Sequence, residues 1–175
     1  MKDEYHGIYI SPPETPDKIL FLDIDGVMVT DFRPDNMDLS GWHLFNEISV
    51  NLLNSIIEVT QCHIVITSTW RKRDVNWIRD IFEARGFKYP ELIIGETMRG
   101  YHFIEQGVHL PIPRGLEIKA WMDTNMGLHK CQYAIVDDDA DMLLEQKSNF
   151  IQTKSEKGLT LSEAHKLIYI LTTDA

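Results

Sequence analysis

Asp23 and Asp25 stand one residue apart at the end of the apolar-leaning run KILFLDIDGVMVT, residues 18–30. A second acidic group, Asp137, Asp138, Asp139 and Asp141, follows another apolar run in AIVDDDADM. A third run, HIVIT, ends on Thr67 and leads into Ser68. Each piece alone has an ordinary explanation. Aspartate and serine after a strand cap helices and form turns, Asp25-Gly26 is a turn dipeptide, and acids at 137–141 suit a helix start. Gathered in one place, however, four or more carboxylates repel strongly unless positive charge lies between them. A divalent cation resolves that conflict, and an all-oxygen ligand set favours Mg²⁺ over zinc. A calcium loop does not fit. Counted from Asp23 the sixth and twelfth positions are Met28 and Pro34, and from Asp137 they are Met142 and Ser148, where glycine and glutamate are needed.

Whether the acids meet depends on the elements that carry them. ILFL (19–22), HIVIT (63–67), ELII (91–94) and QYAIV (132–136) read as short buried strands. ISVNLLNSIIEVT (48–60), DVNWIRDIFEARG (74–86), GLEIKAWMDTNM (115–126) and TLSEAHKLIYIL (160–171) read as helices. The second stops at Gly86, and in the last Thr160 and Glu163 have capping-box spacing. Strands separated by helices need crossover connections, hence a mostly parallel sheet covered on both faces. The expected fold is therefore α/β, a Rossmann-like three-layer sandwich. Ligands of such sheets sit beyond the carboxyl ends of the strands. Asp23, Asp25, Thr67, Ser68 and the acids of 137–141 all fall at such ends, and their joint placement outweighs the ordinary explanation of each. Residues 1–17, with SPPETPD, read as an irregular arm, leaving 18–175 as one domain.

Composition sets the outer bounds. The 175 residues suffice for one domain with a real core, and 43% hydrophobic with 25% charged residues is ordinary for a globular protein. No apolar run approaches membrane-spanning length, and the N-terminus lacks the basic-then-apolar pattern of a signal peptide, so a cytoplasmic location is expected. Cys62 and Cys131 make neither a disulfide framework nor a zinc spacing and read as small core residues. A net charge of −10 disfavours a broad nucleic-acid surface, although Arg71, Lys72 and Arg73 form a local basic cluster.

These motifs resemble the haloacid dehalogenase (HAD) superfamily. FLDIDGV matches its first motif, IVIT ending at Thr67 its second, and AIVDDDAD its fourth, in the family's order and over about residues 18–142. More narrowly, STWR and RGLEIKAWM look like a subgroup associated with RNA-repair proteins and related phosphatases. The resemblance implies that Asp23 is a nucleophile forming an aspartyl-phosphate and Asp25 the general acid, then base. It implies Mg²⁺ held by the Asp23 carboxylate, the Asp25 main-chain carbonyl and an acid of the fourth strand, Asp137 ahead of Asp138, with Asp141 secondary. Thr67 would donate to a phosphoryl oxygen. The third motif needs a cation; Arg114 is favoured because a guanidinium there reaches phosphate and carboxylate together, with Lys119 the alternative. Asp at position 25 favours phosphatases over dehalogenases.

Too few residues separate the motifs for a sizeable cap domain, since the segment from Thr67 to Arg114 leaves little beyond a loop at 95–113. Capless members of the family tend to accept large substrates. Gly26, Ser68, Arg71, Trp42 and His43 are the expected substrate contacts, with Tyr101 and His102 also near the mouth. An aromatic rim suits an aryl phosphate such as phosphotyrosine, and net charge tilts the expectation towards a phosphoprotein. The alternatives are a nucleic-acid 3′-end phosphatase and a catalytically silent HAD-like binding module.

Overall fold

The computed structural model describes residues 15–30, 45–72, 74–104 and 108–173, the side chains of 72, 102–104 and 108–110 excepted. Strand β1 (Lys18–Leu22) is buried from Ile19 to Leu22 and lies at the centre of the sheet. Its neighbours are β2 (His63–Ile66) and β6 (Gln132–Asp137), both parallel to it. β3 (Ile93–Glu96) extends the sheet beyond β2, and β7 (Phe150–Gln152) beyond β6, giving the all-parallel order β3-β2-β1-β6-β7. Central strands buried on both faces read as continuous apolar runs, which is why ILFL and AIV lack alternation.

Helices cover both faces. Leu20, Leu22, Ile64, Ile66 and Val136 point into a core shared with α1 (Glu47–Thr60), α2 (Val75–Ala84) and α4 (Leu161–Thr172). Ile19, Phe21, Val65 and Ile135 point the other way, against α3 (Arg114–Asn125). There Phe21 meets Trp121 edge to face at 5.6 Å and Tyr133 at 6.1 Å. The expected three-layer α/β sandwich is the observed one. Helix ends follow local chemistry. Asn46 caps α1 and Asp74 caps α2, each accepting from two backbone N–H groups, and Thr160 with Glu163 forms the expected capping box. Gly86, at φ +92°, follows α2 where the reading of the sequence ends that helix. Cys62 is fully buried in the first core and Cys131 packs half-buried against the second; both are free.

Three local expectations change. The third strand begins two residues late, because Pro90 opens a 3₁₀ turn, Pro90–Leu92, ahead of it. The segment expected as a loop at 95–113 contains an antiparallel hairpin, β4 (Tyr101–Ile104) with β5 (Val108–Pro111). β7 was not expected. It has three residues, too short for a periodic signal, and is fixed by pairing with Ile135, Val136 and Asp137. Among the described residues no cap domain covers the sheet, and the hairpin is a small element beside it. Among the described residues no helix is long and apolar enough to cross a membrane.

Candidate active site

Strand register assembles the site. Leu22 pairs with Ile66 on one side and with Val136 on the other, so Asp23, Thr67 and Asp137 are the next residues of three adjacent strands. The ladder runs one step further: Thr67 N–H donates to Leu22 O at 2.9 Å and Asp23 N–H to Val136 O at 3.0 Å. A one-residue slip of any strand would turn one of these side chains to the opposite face.

Asp23, Asp137 and Asp138 each offer a carboxylate oxygen within 4.8 Å of the others. Arg114, the first residue of α3, reaches into the group. Its Nη1 donates to Asp23 Oδ1 at 3.0 Å and lies 3.6 Å from Asp137 Oδ2. It also donates to the Thr67 carbonyl. Asp141 sets that position by accepting the Arg114 backbone N–H at 2.8 Å, which ties the start of α3 to the segment after β6. One guanidinium does not balance three acids. Burial, with Asp25 and Asp138 adding to it and Arg114 opposing, pushes the Asp23 carboxyl up to about 6. Burial and the neighbouring Asp23 push Asp137 up to about 8. Arg114 is held further on its charged side by Asp137 and Asp23, which outweigh the effect of burial.

Two buried oxygens here have no hydrogen-bond partner among the described residues, Thr67 Oγ1 and Asp137 Oδ2. Orphaned polar atoms at this depth are costly and call for a ligand. A carboxylate oxygen without a hydrogen bond within a cluster of acids fits a hard divalent cation, and a buried hydroxyl on the neighbouring strand end fits an anionic oxygen. Asp139 is exposed; its backbone N–H donates to Asp137 Oδ1 at 3.0 Å and leaves Oδ2 for the cluster.

Asp25 is exposed, and its carboxylate accepts the Trp70 indole N–H at 3.0 and 3.1 Å. It stands outside the three-carboxylate group. After it the chain turns sharply, with Met28 and Val29 N–H both donating to Ile24 O. Gly26 is required there. It sits at φ +72°, and a Cβ would run into the Asp138 carboxyl group. Its carbonyl accepts from the Thr153 hydroxyl at 2.8 Å.

Ser68 is buried, and its Oγ accepts the Trp70 N–H at 3.3 Å, capping the turn that follows β2. Arg71 is 9% exposed and pairs with Glu117 of α3 at 2.5 Å. Its Nη1 donates to Thr97 Oγ1 at 2.7 Å and to the Thr67 carbonyl. Burial lowers its proton affinity and Glu117 restores part of it. Lys119 is exposed and pairs with Asp123 at 2.7 Å, away from the acids. Trp42, His43 and Arg73 lie outside the described residues, as do the side chains of Lys72 and His102. The sequence reading missed Trp70 as the partner of Asp25; the available signal was its place three residues beyond Thr67, at the end of the strand beside β1. It also missed the Arg71–Glu117 pair, whose members are 46 residues apart and carry no local signature.

A family profile described as "HAD domain in Swiss Army Knife RNA repair proteins" matches residues 19–164. The chain belongs to this family. The match spans every strand of the sheet except the first residue of β1, and it includes Asp23, Asp25, Thr67, Arg114 and Asp137. With membership comes the general chemistry of a HAD domain, which is phosphatase-like, in a superfamily that is generally Mg²⁺-dependent. No curated protein and no solved structure matches the chain.

Proposed function

We propose that this HAD domain is a Mg²⁺-dependent phosphomonoesterase that works through an aspartyl-phosphate on Asp23 and acts on the phosphorylated end of an RNA strand. The observation that carries the reading is the cluster at the strand ends: three carboxylates within 4.8 Å of one another and one guanidinium among them, with a buried hydroxyl that has no hydrogen bond among the described residues on the adjacent strand end.

Each residue has a task. The Asp23 carboxylate attacks phosphorus, and the bond to the leaving oxygen breaks as Asp25 supplies its proton. Asp25 then takes a proton from water, which attacks the aspartyl-phosphate, releases inorganic phosphate and restores Asp23. Arg114 and the Thr67 hydroxyl would donate to phosphoryl oxygens as charge shifts onto them. The Trp70 indole N–H steadies the Asp25 carboxylate between these two steps. The carboxylates of Asp23, Asp137 and Asp138 and the main-chain carbonyl of Asp25 would hold the cation. When bound, Mg²⁺ supplies charge neutralisation for phosphate and carboxylates alike.

The choice of RNA rests on the family's description together with an uncapped site. The phosphoprotein expectation drew on net charge and on an aromatic rim that includes Trp42, outside the described residues. Phosphate release from a 3′-phosphorylated oligoribonucleotide, a phosphotyrosyl peptide and an aryl phosphate, with Mg²⁺ or with EDTA, tests the reading. The oligoribonucleotide should be turned over fastest, and EDTA should stop all three. Fastest release from the peptide would restore the phosphoprotein reading. No release from any of them with Mg²⁺ would leave a binding module.

A further inference from the structure

Beside Arg114, Asp139 and Asp141 a cleft of about 310 Å³ opens between the turn after β2 and the β5–α3 connection, with Arg99 in its lining. A second cleft of about 330 Å³ adjoins it, sharing Arg71 and Arg99 and lined also by Glu96, Thr97, Met98 and Tyr101. Arg71 and Arg99 thus border both clefts, one reaching Arg114 and the other Tyr101. Three groups lining the second, outer cleft remain unused by the chemistry above. Arg99 has no carboxylate partner among the described residues, and its guanidinium lies over the Tyr101 ring at 5.3 Å. Tyr101 is half exposed. Glu96 has one buried carboxylate oxygen, Oε2, with no hydrogen-bond partner among the described residues.

The wall carrying these groups is built into the fold. Glu117, held by Arg71, accepts the Gly100 N–H at 2.9 Å, and Gly100 O accepts the Ile112 N–H at 3.1 Å, which fastens both legs of the hairpin at its base. A Cβ at Gly100 would meet the Ile112 side chain, which would have to shift to admit it. Thr97 at the end of β3 is fixed as well. Its N–H donates to Ile66 O at 3.0 Å, and its hydroxyl accepts from Arg71.

A cation without a carboxylate partner, a half-exposed aromatic ring and an acceptor oxygen without a hydrogen bond, all among the described residues of one cleft, match the three parts of a nucleotide: phosphate, base and donor edge of the base. A phosphotyrosyl peptide offers no second phosphate for Arg99. We infer that the outer cleft binds the nucleotide next to the scissile phosphate of a single-stranded RNA end. Arg99 holds its phosphodiester, the Tyr101 ring stacks on its base, and Glu96 accepts from the base edge. The inference rests on the phosphatase reading for the identity of the scissile group but not for its measurement.

The test is binding of a fluorescent, single-stranded, 3′-phosphorylated oligoribonucleotide, read by anisotropy in full-length protein carrying Asp23→Asn, so that turnover plays no part. Adding Arg99→Ala should weaken binding and reduce the slope of log affinity against log salt by about 0.7, the amount one released single-strand counterion carries. Arg99→Lys should keep the slope. Tyr101→Ala should weaken binding on the order of tenfold, and Tyr101→Phe should restore it. Glu96→Ala should narrow the difference in affinity between oligonucleotides that vary only in the 3′-terminal base. In the active enzyme Arg99→Ala should also cut the preference for oligonucleotide over aryl phosphate about tenfold. Unchanged oligonucleotide affinity in both alanine variants would overturn the inference, as would tighter binding of a phosphotyrosyl peptide than of the oligonucleotide. Loss of all turnover without loss of this binding pattern would sink the phosphatase reading and leave the cleft assignment standing.

Discussion

Two arginines donate to one carbonyl oxygen, that of Thr67, and they belong to different kinds of charged cluster. Arg71 and Glu117 form a matched pair whose side chains are 5% and 3% exposed, each with further hydrogen bonds to neighbouring elements. Arg114 faces Asp23 and Asp137, with Asp138 close by, and cannot neutralise them all. The first cluster balances its charges, although Arg71 Nε has no hydrogen-bond partner among the described residues. The second leaves a buried hydroxyl and a buried carboxylate oxygen without a hydrogen bond and raises two carboxyls well above their ordinary range. Burial alone therefore does not distinguish scaffold from chemistry. Whether the charges balance does.

Substitutions should separate the two clusters. Asp23→Asn should eliminate turnover of an aryl phosphate while leaving the thermal transition in place or higher, because it removes an acid that burial penalises. Arg71→Ala should do the reverse in stability: it strands Glu117 and should cost about 3–5 kcal/mol by denaturant unfolding. Replacing both partners with apolar residues, Arg71→Met with Glu117→Leu, should recover most of that loss. If Arg71→Ala leaves stability unchanged, the scaffold side of the comparison fails. Thr67→Val should lower kcat/KM roughly 10²-fold, the usual effect of removing one donor to a developing oxyanion, with little change in the ion-free protein's stability.

The carboxylates also set a pH dependence. Asp23 and Asp137 ionise near 6 and near 8 in the folded protein against an ordinary 3.8. Between about pH 4 and 8 the native state thus holds protons that the unfolded chain has released, so the ion-free protein should lose stability as pH rises. Mg²⁺ competes with those protons, and the rise in melting temperature it produces should grow across the same window. A Mg²⁺ shift that is absent, or that shrinks with rising pH, would remove the cation from the account. The smallest effect concerns the cation of the third motif. Lys119→Ala should alter neither turnover nor stability measurably, whereas Arg114→Ala should impair turnover.

The core of this arrangement is legible in the sequence because register carries it. Three apolar runs that end in Asp23, Thr67 and Asp137 have to align if the sheet is parallel, and the observed pairs Leu22–Ile66 and Leu22–Val136 align them. Arg114 is legible through the family resemblance rather than through any periodicity. What stays hidden depends on packing between distant segments. Arg71 reads as part of a basic surface cluster, yet Glu117, 46 residues on, draws it inside. Trp70 reads as an aromatic residue in a turn until Asp25 is placed beside its indole N–H. The hairpin at 101–111 is obscured because Gly100 and two prolines, Pro111 and Pro113, give its boundaries the look of a loop.

The most direct test of the central claim is to quench the enzyme in acid during turnover with Mg²⁺ and locate the phosphoryl group by mass spectrometry. The phosphoryl adduct should appear on the peptide containing Asp23 and vanish in Asp23→Asn. An adduct on any other residue, or one that survives Asp23→Asn, would contradict the assignment of Asp23 as the nucleophile.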